Sequence, residues 1–437
     1  RHRLNYYLSC SWLPLGSMKD VGASEPEISQ FQDNGWPDQS QTSDSHNILV
    51  SETANDDESS DARFSRENAT ENGVVYPIDG ESPHSHNPAP ERQKVLLLTP
   101  FLEYISCLVY LSAFGILGVL TRYLLKKLFG PGVGSITSDH SLLYLDLPSN
   151  MVGSFLMGWW GIVFKSEIAT ISAHLSVGLT TGFLGSLTTF SGWNQKMVEL
   201  SVDGLWAKAL IGYILGLFLA AYSIQFGVGT AQLARKFSSS HRRNSPTFAW
   251  KVDTLKRHFA ATALVVTSLF ALLAISGRNV GQNAGELWIA CLVAPSGVWI
   301  RWLLSKFNGR GIGKNGALRW MPLGTLTANV AASCIMAALS TWKKAVTFHH
   351  LRRNLDALYA EHALQARAER LHAVINGVQL GFLGCLSTVS TFMAEYYALE
   401  HGENNWTAYA YSVVTILLSF GFGMLIFDIP VWVRDYS

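Results

Sequence analysis

The chain has 437 residues, and its 33 lysines and arginines almost balance its 32 aspartates and glutamates, so that the formal net charge is +1. A nearly neutral chain lacks the basic surface that binding to nucleic acid requires, which excludes nucleic acid as an expected partner. The five cysteines have no metal-ligand spacing, and four of them lie in apolar segments, where cysteine usually packs as a small hydrophobic residue.

Residues 1–95 differ in composition from the rest of the chain. They are rich in Ser, Asp, Glu, Asn, His and Pro and contain few apolar runs. Such a segment cannot bury enough apolar surface to fold by itself. We therefore expect a disordered polar tail over 1–95 and folded structure after it.

Nine apolar segments beyond the tail each approach the roughly 20 residues that a membrane-spanning helix needs. In chain order they are Tyr104–Leu125, Leu145–Phe164, Ile171–Leu200, Leu205–Phe226, Phe259–Ser276, Leu287–Leu304, Trp320–Trp342, Val374–Leu399 and Ala408–Ile426. The sequence thus predicts an all-α membrane protein with nine transmembrane helices. Its predicted parts after the tail are a first repeat at 96–230, a basic loop at 231–257, a linker helix at 258–280, a second repeat at 281–430 and a C-terminal tail at 431–437.

One motif occurs twice, in the third span of each predicted half. Residues 182–193 read GFLGSLTTFSGW, and residues 381–392 read GFLGCLSTVSTF. Upstream of each copy an arginine precedes an asparagine by 28 positions. These pairs are Arg122 with Asn150 and Arg301 with Asn329. Two copies of one unit in apolar sequence predict a membrane protein made of two related halves.

The number of spans between the copies predicts how they are oriented. Four spans, one linker span and four further spans invert the second copy relative to the first, about a pseudo-two-fold axis in the membrane plane. The two equivalent asparagines are 179 positions apart, whereas the equivalent glycines Gly185 and Gly384 are 199 positions apart. The second copy therefore contains an insertion between its asparagine and its glycine. Basic residues between the fourth and fifth spans favour the cytoplasm for that loop, and hence for the N-terminus.

Polar residues recur at equivalent positions inside the spans. Arg122 and Arg301 end the first helix of each copy, where an arginine either anchors the helix at the membrane surface or attracts an anion into a vestibule. Asn150 and Asn329 each share a helix face with the serine four residues later, and such an asparagine either joins helices or donates to a passing anion. The duplication favours the anion in both cases.

The third span of each copy is rich in Gly, Ser and Thr, which predicts a break in its helix. Hydroxyl groups and the positive edges of aromatic rings near the breaks are suited to a dehydrated anion. The candidates are Thr189, Phe190 and Ser191 in the first copy and Thr388, Ser390 and Phe392 in the second. No Asp or Glu lies near the centre of any predicted span, which argues against a proton-coupled exporter of cations and favours a small anion.

Together these motifs resemble the eukaryotic two-domain fluoride channel and exporter family, which is related to the bacterial dual-topology fluoride channels. The resemblance rests on a Gly/Arg end to the first helix, Asn-x-x-[Gly/Ala]-Ser in the second and Gly-x-x-Gly-x-Leu-[Thr/Ser]-Thr-x-Ser in the third. These motifs occur twice and span roughly residues 96–430.

The resemblance implies a function and an ion. It implies passive, selective export of fluoride from the cytoplasm across the plasma membrane, driven by the membrane potential and the concentration gradient, by a protein that is not an enzyme. The fused halves imply a monomer that contains an internal pseudo-dimer. A structural sodium ion is implied as well, held by the backbone carbonyls of Gly185 and Thr188 in the first copy and of Gly384 and Ser387 in the second.

The aromatic residues depart from the family pattern, in which each pore takes one phenylalanine from each copy. Trp193 and Val389 replace two of the four expected phenylalanines, so one pore would hold Phe190 with Phe392 and the other Val389 with Trp193. We expect only the first of these pores to conduct. A polar stripe in the ninth span either lines that pore or joins helices. It consists of Tyr411, Thr415 and Ser419, whereas the fourth span has Ile211, Leu215 and Leu219 at a similar depth.

Three other classes of function stay open at this point. A secondary exporter of another small solute or anion predicts a buried glutamate and alternating access, and no such glutamate is evident. A receptor or scaffold would act through the polar tail. An intramembrane enzyme would need paired aspartates, metal-spaced histidines or a serine nucleophile frame, and we find none of these in the spans.

Overall fold

The structure is a computed structural model that describes residues 90–138, 141–241, 255–278, 284–311, 318–354 and 361–434. The polar tail up to residue 89, residues 242–254 of the predicted basic loop and residues 435–437 lie outside these ranges. Every secondary-structure element of the described residues is helical, in agreement with the predicted all-α class.

The helices follow the order of the predicted spans. In the first half they are α1 (Pro90–Phe129), α2 (Leu147–Leu156), α3 (Lys165–Ile171), α4 (Ala173–Val177), α5 (Gly185–Leu187), α6 (Phe190–Val202) and α7 (Trp206–His241). The linker is α8 (Leu255–Arg278). The second half contains α9 (Ala284–Ser305), α10 (Leu323–Asn354), α11 (Glu361–Val378), α12 (Gly384–Leu386), α13 (Ser390–Glu400), α14 (Trp406–Gly423) and α15 (Ile429–Arg434). Wider, π-helical turns continue four of them, at Met157–Val163, Gly178–Leu184, Gln379–Leu383 and Met424–Asp428.

Six segments of the described chain are long and apolar enough to cross a membrane. They are Phe101–Phe129, Trp206–Ser238, Gly285–Phe307, Leu323–Phe348, Ala368–Glu400 and Trp406–Val433, and the linker adds a shorter apolar stretch, Phe259–Ala274. Their outer faces carry large apolar side chains, such as Leu210, Ile214 and Phe218 on α7, which are 60–65% exposed. Such faces are stable only against lipid. The chain is therefore a multi-pass membrane protein.

Two predicted spans of the first half are helical but not continuous α-helices. The span predicted at Leu145–Phe164 consists of α2 and the π-helical turns that follow it. The span predicted at Ile171–Leu200 is broken at Thr188, whose backbone is extended (φ −99°, ψ 150°). The second copy has the equivalent break at Ser387 (φ −87°, ψ 159°). Both breaks lie inside the repeated motif, where the sequence predicts them.

Three helices extend past the boundaries expected from hydropathy. α1 begins at Pro90, α7 continues to His241 and α15 ends at Arg434, so they enter the predicted tail, loop and C-terminal tail respectively. Hydropathy reports which part of a helix is apolar, whereas backbone hydrogen bonding continues through polar turns outside the membrane.

In each half the first helix packs closely against the third. A Cβ atom built on Gly118 of α1 would lie 2.6 Å from the carbonyl oxygen of Phe183, and Gly297 of α9 makes the equivalent close approach to the carbonyl oxygen of Phe382. Only glycine permits this contact between a helix and a neighbouring backbone. The contact brings the arginine four residues later on each first helix next to the helix breaks.

The sequence analysis compared the polar stripe with Ile211 and the residues four and eight positions later on α7, but Ile211 does not lie on the inward face of this helix. Ile211 is 49% exposed and lies on the outer surface, whereas Tyr213, Gly216 and Ala220 are buried. Counting positions from the start of a span does not identify its inward face, because small differences in helix rotation move a residue from the protein to the lipid side.

Candidate functional site

Each helix break is held by the asparagine of the preceding span. Asn150 Oδ1 accepts a hydrogen bond from the backbone N–H of Thr189 at 2.9 Å, and Asn150 Nδ2 donates to the carbonyl of the same residue at 3.1 Å. Asn329 makes the same two bonds with Thr388, at 2.8 and 3.1 Å. Both asparagines are completely buried. They hold the extended backbone in place, and their predicted donation to an anion stays a prediction.

In the first copy these bonds release two carbonyl groups from the helical hydrogen-bond pattern. In a continuous helix the N–H of Thr189 would bond to the carbonyl of Gly185, and that of Gly192 to the carbonyl of Thr188. The N–H of Thr189 instead bonds to Asn150, and that of Gly192 bonds to the Thr189 hydroxyl at 3.4 Å. The freed carbonyls belong to the two residues predicted to bind sodium in this copy.

The second copy repeats the arrangement. The N–H of Thr388 bonds to Asn329, and the N–H of Thr391 bonds to the Thr388 hydroxyl at 3.5 Å. The carbonyls of Gly384 and Ser387 therefore lose their helical donors. Four neutral, hard oxygen atoms from two breaks form a donor set that suits a small hard cation such as sodium.

The two arginines lie among backbone carbonyls near these breaks. Arg122 Nη1 donates to the carbonyl of Gly384 at 2.9 Å, and Arg122 Nη2 donates to that of Leu380. Arg301 donates to Cys385 through Nε at 2.6 Å and to Thr181 through Nη2 at 2.9 Å. Each arginine is only 1% exposed, so neither is an anchor at the membrane surface. They cross-link the halves, and their predicted attraction of an anion stays a prediction.

Six hydroxyl groups from the two helix breaks lie close together, three from each copy. Thr188 Oγ1 is 3.2 Å from Thr388 Oγ1 and 3.1 Å from Ser390 Oγ, and Ser387 Oγ is 3.1 Å from Thr189 Oγ1 and 2.9 Å from Ser191 Oγ. The two contacts of Thr188 with the second copy are repeated by the two contacts of its equivalent, Ser387, with the first copy. The structure thus brings together Thr189, Ser191, Thr388 and Ser390, whose hydroxyls bond within this group, and their predicted contact with an anion stays a prediction.

Three aromatic rings predicted for one pore are in contact. The rings of Phe190 and Phe392 meet edge to face, with centroids 6.0 Å apart, and Phe392 meets Tyr411 in the same way at 5.0 Å. Trp193 joins the same group of rings: it meets Phe190 edge to face at 5.5 Å, stacks on Tyr144 at 5.9 Å and contacts Tyr213 at 5.6 Å. Phe190 therefore contacts both Phe392 and Trp193.

The polar stripe of α14 ends at a buried carboxylate. Tyr411 Oη donates to Glu395 Oε2 at 2.7 Å, and the hydroxyl of Thr415 donates to the carbonyl of Tyr411 at 2.7 Å. Glu395 Oε1 accepts from Asn308 Nδ2 at 2.8 Å and from Thr325 Oγ1 at 2.6 Å. All three stripe residues are completely buried, and the hydroxyl of Ser419 has no hydrogen-bond partner among the described residues.

Glu395 corrects one expectation from the sequence. The argument against a glutamate-dependent exporter stated that no buried glutamate is evident, yet Glu395 is only 8% exposed. Its partners Asn308 and Thr325 lie in the turn after α9 and in the first turn of α10, so this buried carboxylate lies near the ends of those helices and not at their centres. Asp428, fully buried and accepting from Ser201 Oγ at 2.7 Å, is a second buried acid that the sequence did not reveal.

A broad pocket of about 1150 Å³, called here the basic pocket, opens at one end of the molecule. Six basic side chains line it against three acidic ones. The basic residues are Arg122, Lys126, Lys127, Lys196, Lys343 and Lys344, and the acidic ones are Asp146, Glu199 and Glu286. Thr189 of the first break also lines this pocket, so the excess of positive charge extends from the surface to the break. The pocket suits an anion.

A second cavity of about 40 Å³, called here the small cavity, lies at the other end of the second span. Asp146, directly before α2, lines the basic pocket, and Lys165, directly after the π-helical turns, lines the small cavity. Thr391 of the second break lines the small cavity as Thr189 of the first break lines the basic pocket. The next residues in the chain are Phe392 and Phe190, so each ring of the pair follows directly after a residue that lines one of the two volumes.

Several residues of this region were not identified from the sequence. Besides Glu395 they include Tyr144, which accepts a hydrogen bond from Asn150 Nδ2 at 3.2 Å, and Lys165, whose pKa burial lowers to about 8. Lys165 has one detectable signal, because Lys344 lies 179 positions later in the second copy. The hydrogen-bond partners of Glu395 have no such signal, since they come from other helices.

Comparison with known proteins agrees with the duplication. A family model described as "CrcB-like protein, Camphor Resistance (CrcB)" matches residues 109–228 and again residues 288–427. "Fluoride export protein 1" of Candida albicans is 27% identical over 267 residues, which cover 58% of this chain. The chain spans 61% of the length of that relative.

Bacterial relatives match over little more than a quarter of the chain, close to the length of one matched copy. "Fluoride-specific ion channel FluC" of Geobacter metallireducens is 34% identical over 125 residues, 29% of this chain and 96% of that protein. The protein of the same name from Shewanella frigidimarina is 32% identical over 113 residues, 26% of this chain and 86% of that protein. No solved structure matches the chain. Because the family model covers both halves and the helix breaks recur in both, the chain belongs to the CrcB-like family, with one copy in each half.

Proposed function

We propose that the chain is a passive fluoride channel that exports fluoride from the cytoplasm. The observation that carries the proposal is the duplicated helix break. Buried hydroxyls and an edge-to-face phenylalanine pair lie at the two breaks, and one residue near each break lines one of the two cavities. The relatives of the chain are named for fluoride export and fluoride-specific conduction. Fluoride holds water strongly, so a path must replace its hydration shell with donors and ring edges. The membrane potential and the concentration gradient would drive the flow, with no enzymatic step.

The proposal includes nine spans arranged as two inverted copies of four joined by α8. Two facts support inversion. The basic pocket is lined by Lys126, just before the C-terminal end of α1, and by Glu286, near the start of the equivalent helix α9. Opposite ends of equivalent helices thus meet at the same end of the molecule. The fused copies would make the protein a monomer with an internal pseudo-dimer.

We place the N-terminus in the cytoplasm and the protein in the plasma membrane. The support is the basic segment after α7, of which Arg235 and Lys236 are described and exposed. The basic pocket would then open to the outside and the small cavity to the cytoplasm. Labelling of a single introduced cysteine by an impermeant reagent in intact cells measures this orientation directly.

A sodium ion fits the four carbonyls of Gly185, Thr188, Gly384 and Ser387, because all four have lost their helical donors. Arg122 bonds to one of them, the carbonyl of Gly384, and a carbonyl oxygen has a second lone pair for a cation. When bound, sodium would supply a fixed positive charge at the centre of the molecule. Asn150 and Asn329 keep the carbonyls available by binding the backbone N–H groups that would otherwise occupy Gly185 and Gly384.

One conducting pore accords with the asymmetry of the aromatic residues. Phe190, Phe392 and Tyr411 of the polar stripe are in contact, whereas Trp193, which also meets Phe190, is packed against Tyr144 and Tyr213. A polar stripe beside ring edges offers successive weak contacts, which conduction requires. A path filled by stacked rings offers none.

Flux from liposomes tests both parts of this proposal. The purified chain is reconstituted, and efflux is followed with a fluoride electrode and a chloride electrode together. We expect fluoride efflux without chloride efflux, a large loss of flux for Phe392→Leu, and near-normal flux for the matched variant Trp193→Leu. Absence of halide efflux from the wild-type chain contradicts the channel. Loss of flux in Trp193→Leu with normal flux in Phe392→Leu contradicts the assignment of the pore.

A secondary exporter is the second candidate, since Glu395 is a buried carboxylate. Three donors hold this carboxylate, which accords better with a fixed structural group than with a carrier that binds and releases a proton. The two functions differ in their driving force. A channel conducts fluoride with equal pH on both sides and carries current, whereas a proton-coupled exporter needs a pH gradient or creates one.

A further inference from the structure

The small cavity is the counterpart of the basic pocket under the internal repeat. Each of the eight residues that line the small cavity has an equivalent in the other copy. The equivalent lies 179 positions away for residues at the second span and 199 positions away for residues of the third. All eight equivalents line the basic pocket. Lys165 corresponds to Lys344 in this way, and Met157 corresponds to Met336. The two volumes are thus two versions of one site at opposite ends of the molecule.

Three donors in the small cavity are available to a ligand. The amine of Lys165 and the hydroxyls of Thr181 and Thr391 line it, and none of the three has a hydrogen-bond or ion-pair partner within the described residues. Lys165 is the only cation among the lining residues. A cation together with two hydroxyl donors is a donor set for an anion, because a hydroxyl donates its proton and a lysine has no acceptor.

The one acidic group of the small cavity is already occupied. Glu395 Oε1 accepts from Asn308 and Thr325 and Oε2 accepts from Tyr411, and among the described residues Lys165 forms no ion pair with it. The equivalent position in the basic pocket is Lys196, of opposite charge. The two versions of the site therefore differ in the charge of their lining residues. The basic pocket has an excess of cations, whereas the small cavity has a single lysine beside a carboxylate.

The size of the small cavity limits its ligand. A volume of about 40 Å³ exceeds the roughly 10–15 Å³ that one water needs, so the small cavity has room for a small ion. We propose that the small cavity binds one small monovalent anion, with Lys165 as its charged ligand and the hydroxyls of Thr181 and Thr391 as neutral donors. This inference rests on the proposed function, since it takes the bound anion to be the conducted fluoride.

A matched pair of variants tests the site in a planar bilayer that contains oriented protein. Fluoride is added to one side at a time, and the concentration that gives half-maximal current is measured. We expect Lys165→Met to raise this concentration on its own side by on the order of threefold to tenfold, the range for loss of one partly buried ion pair. Lys344→Met should act on the opposite side. Lys236→Met removes an exposed lysine at the same end as Lys165 and should act on neither side.

The outcomes separate the inference from the proposed function. If the wild-type chain carries no fluoride current, the proposed function fails. If it does, and Lys165→Met equals Lys236→Met at every concentration, the small cavity is not an anion site. Thermal unfolding in sodium fluoride, with sodium chloride as control, provides a second readout: fluoride should stabilise the wild-type chain more than Lys165→Met. Lys165→Gln, which keeps a polar side chain, replaces Lys165→Met if the latter does not purify as a folded protein, with the same expectation.

Discussion

The contact between Gly384 and Arg122 gives a prediction of large size. A Cβ atom on Gly384 would lie 2.6 Å from Arg122 Cζ, and closer still to both terminal nitrogens. Gly384→Ala must therefore displace a buried guanidinium that donates to two carbonyls. A hydrogen bond to a charged group contributes about 1.5–3 kcal/mol, so loss of both should lower the free energy of unfolding by about 3–6 kcal/mol.

The assay is thermal unfolding of the purified protein in detergent, followed by the fraction that stays monodisperse after heating. We expect the midpoint for Gly384→Ala to fall by about 10 °C or more. Gly185→Ala should behave similarly, because its Cβ would lie 2.6 Å from Arg301 Nη2. Gly421→Ala is the control, since no atom lies within 4 Å of its new Cβ and alanine favours a helix. Equal midpoints for Gly384→Ala and Gly421→Ala would refute the argument.

Three further perturbations follow from the site. Tyr411→Phe removes a donor from Glu395 and leaves a buried carboxylate oxygen unsatisfied, so the free energy of unfolding should fall by about 1–3 kcal/mol, measured by thermal unfolding. Gly216→Ala places a Cβ 2.6 Å from Trp193 Cζ2 and should lower stability while fluoride flux per folded protein stays normal. Burial lowers the pKa of Lys165 to about 8, so fluoride entry from its side should fall as the pH rises through 8 and the ammonium loses its proton.

Each of these has a matched control. Tyr409→Phe alters an exposed tyrosine of the same helix and should leave stability unchanged. Reduced flux per folded Gly216→Ala protein would show that the side with Trp193 conducts. For the pH effect, Glu395 faces Lys165 across the small cavity, and the nearby Glu167 is paired with Arg235 at 2.5 Å. A decline near pH 8 that persists in Lys165→Met would assign the titration to another group.

The sequence alone was sufficient to predict the helix breaks. The breaks at Thr188 and Ser387 follow from local composition, because hydroxyl side chains next to glycine compete for backbone hydrogen bonds. The pairing of Phe190 with Phe392 followed from the resemblance to a known family, and the structure has these rings in contact. Hydropathy also identified the apolar helices, since the cost of exposing backbone to lipid acts on every residue of a span.

Only the tertiary structure decided which partners the buried polar side chains bond to. Asn150 and Asn329 were expected to face an anion, yet each bonds to the backbone of a break 39 or 59 residues away. Glu395 was overlooked because its partners come from other helices, up to 87 residues distant. Duplication in the sequence determined that there are two equivalent halves, whereas packing decided that one version of the repeated site became a broad basic pocket and the other a cavity of about 40 Å³. The physical reason is that hydropathy and helix breaks are local properties, while the partner of a buried donor or charge is chosen by whichever helix packs beside it.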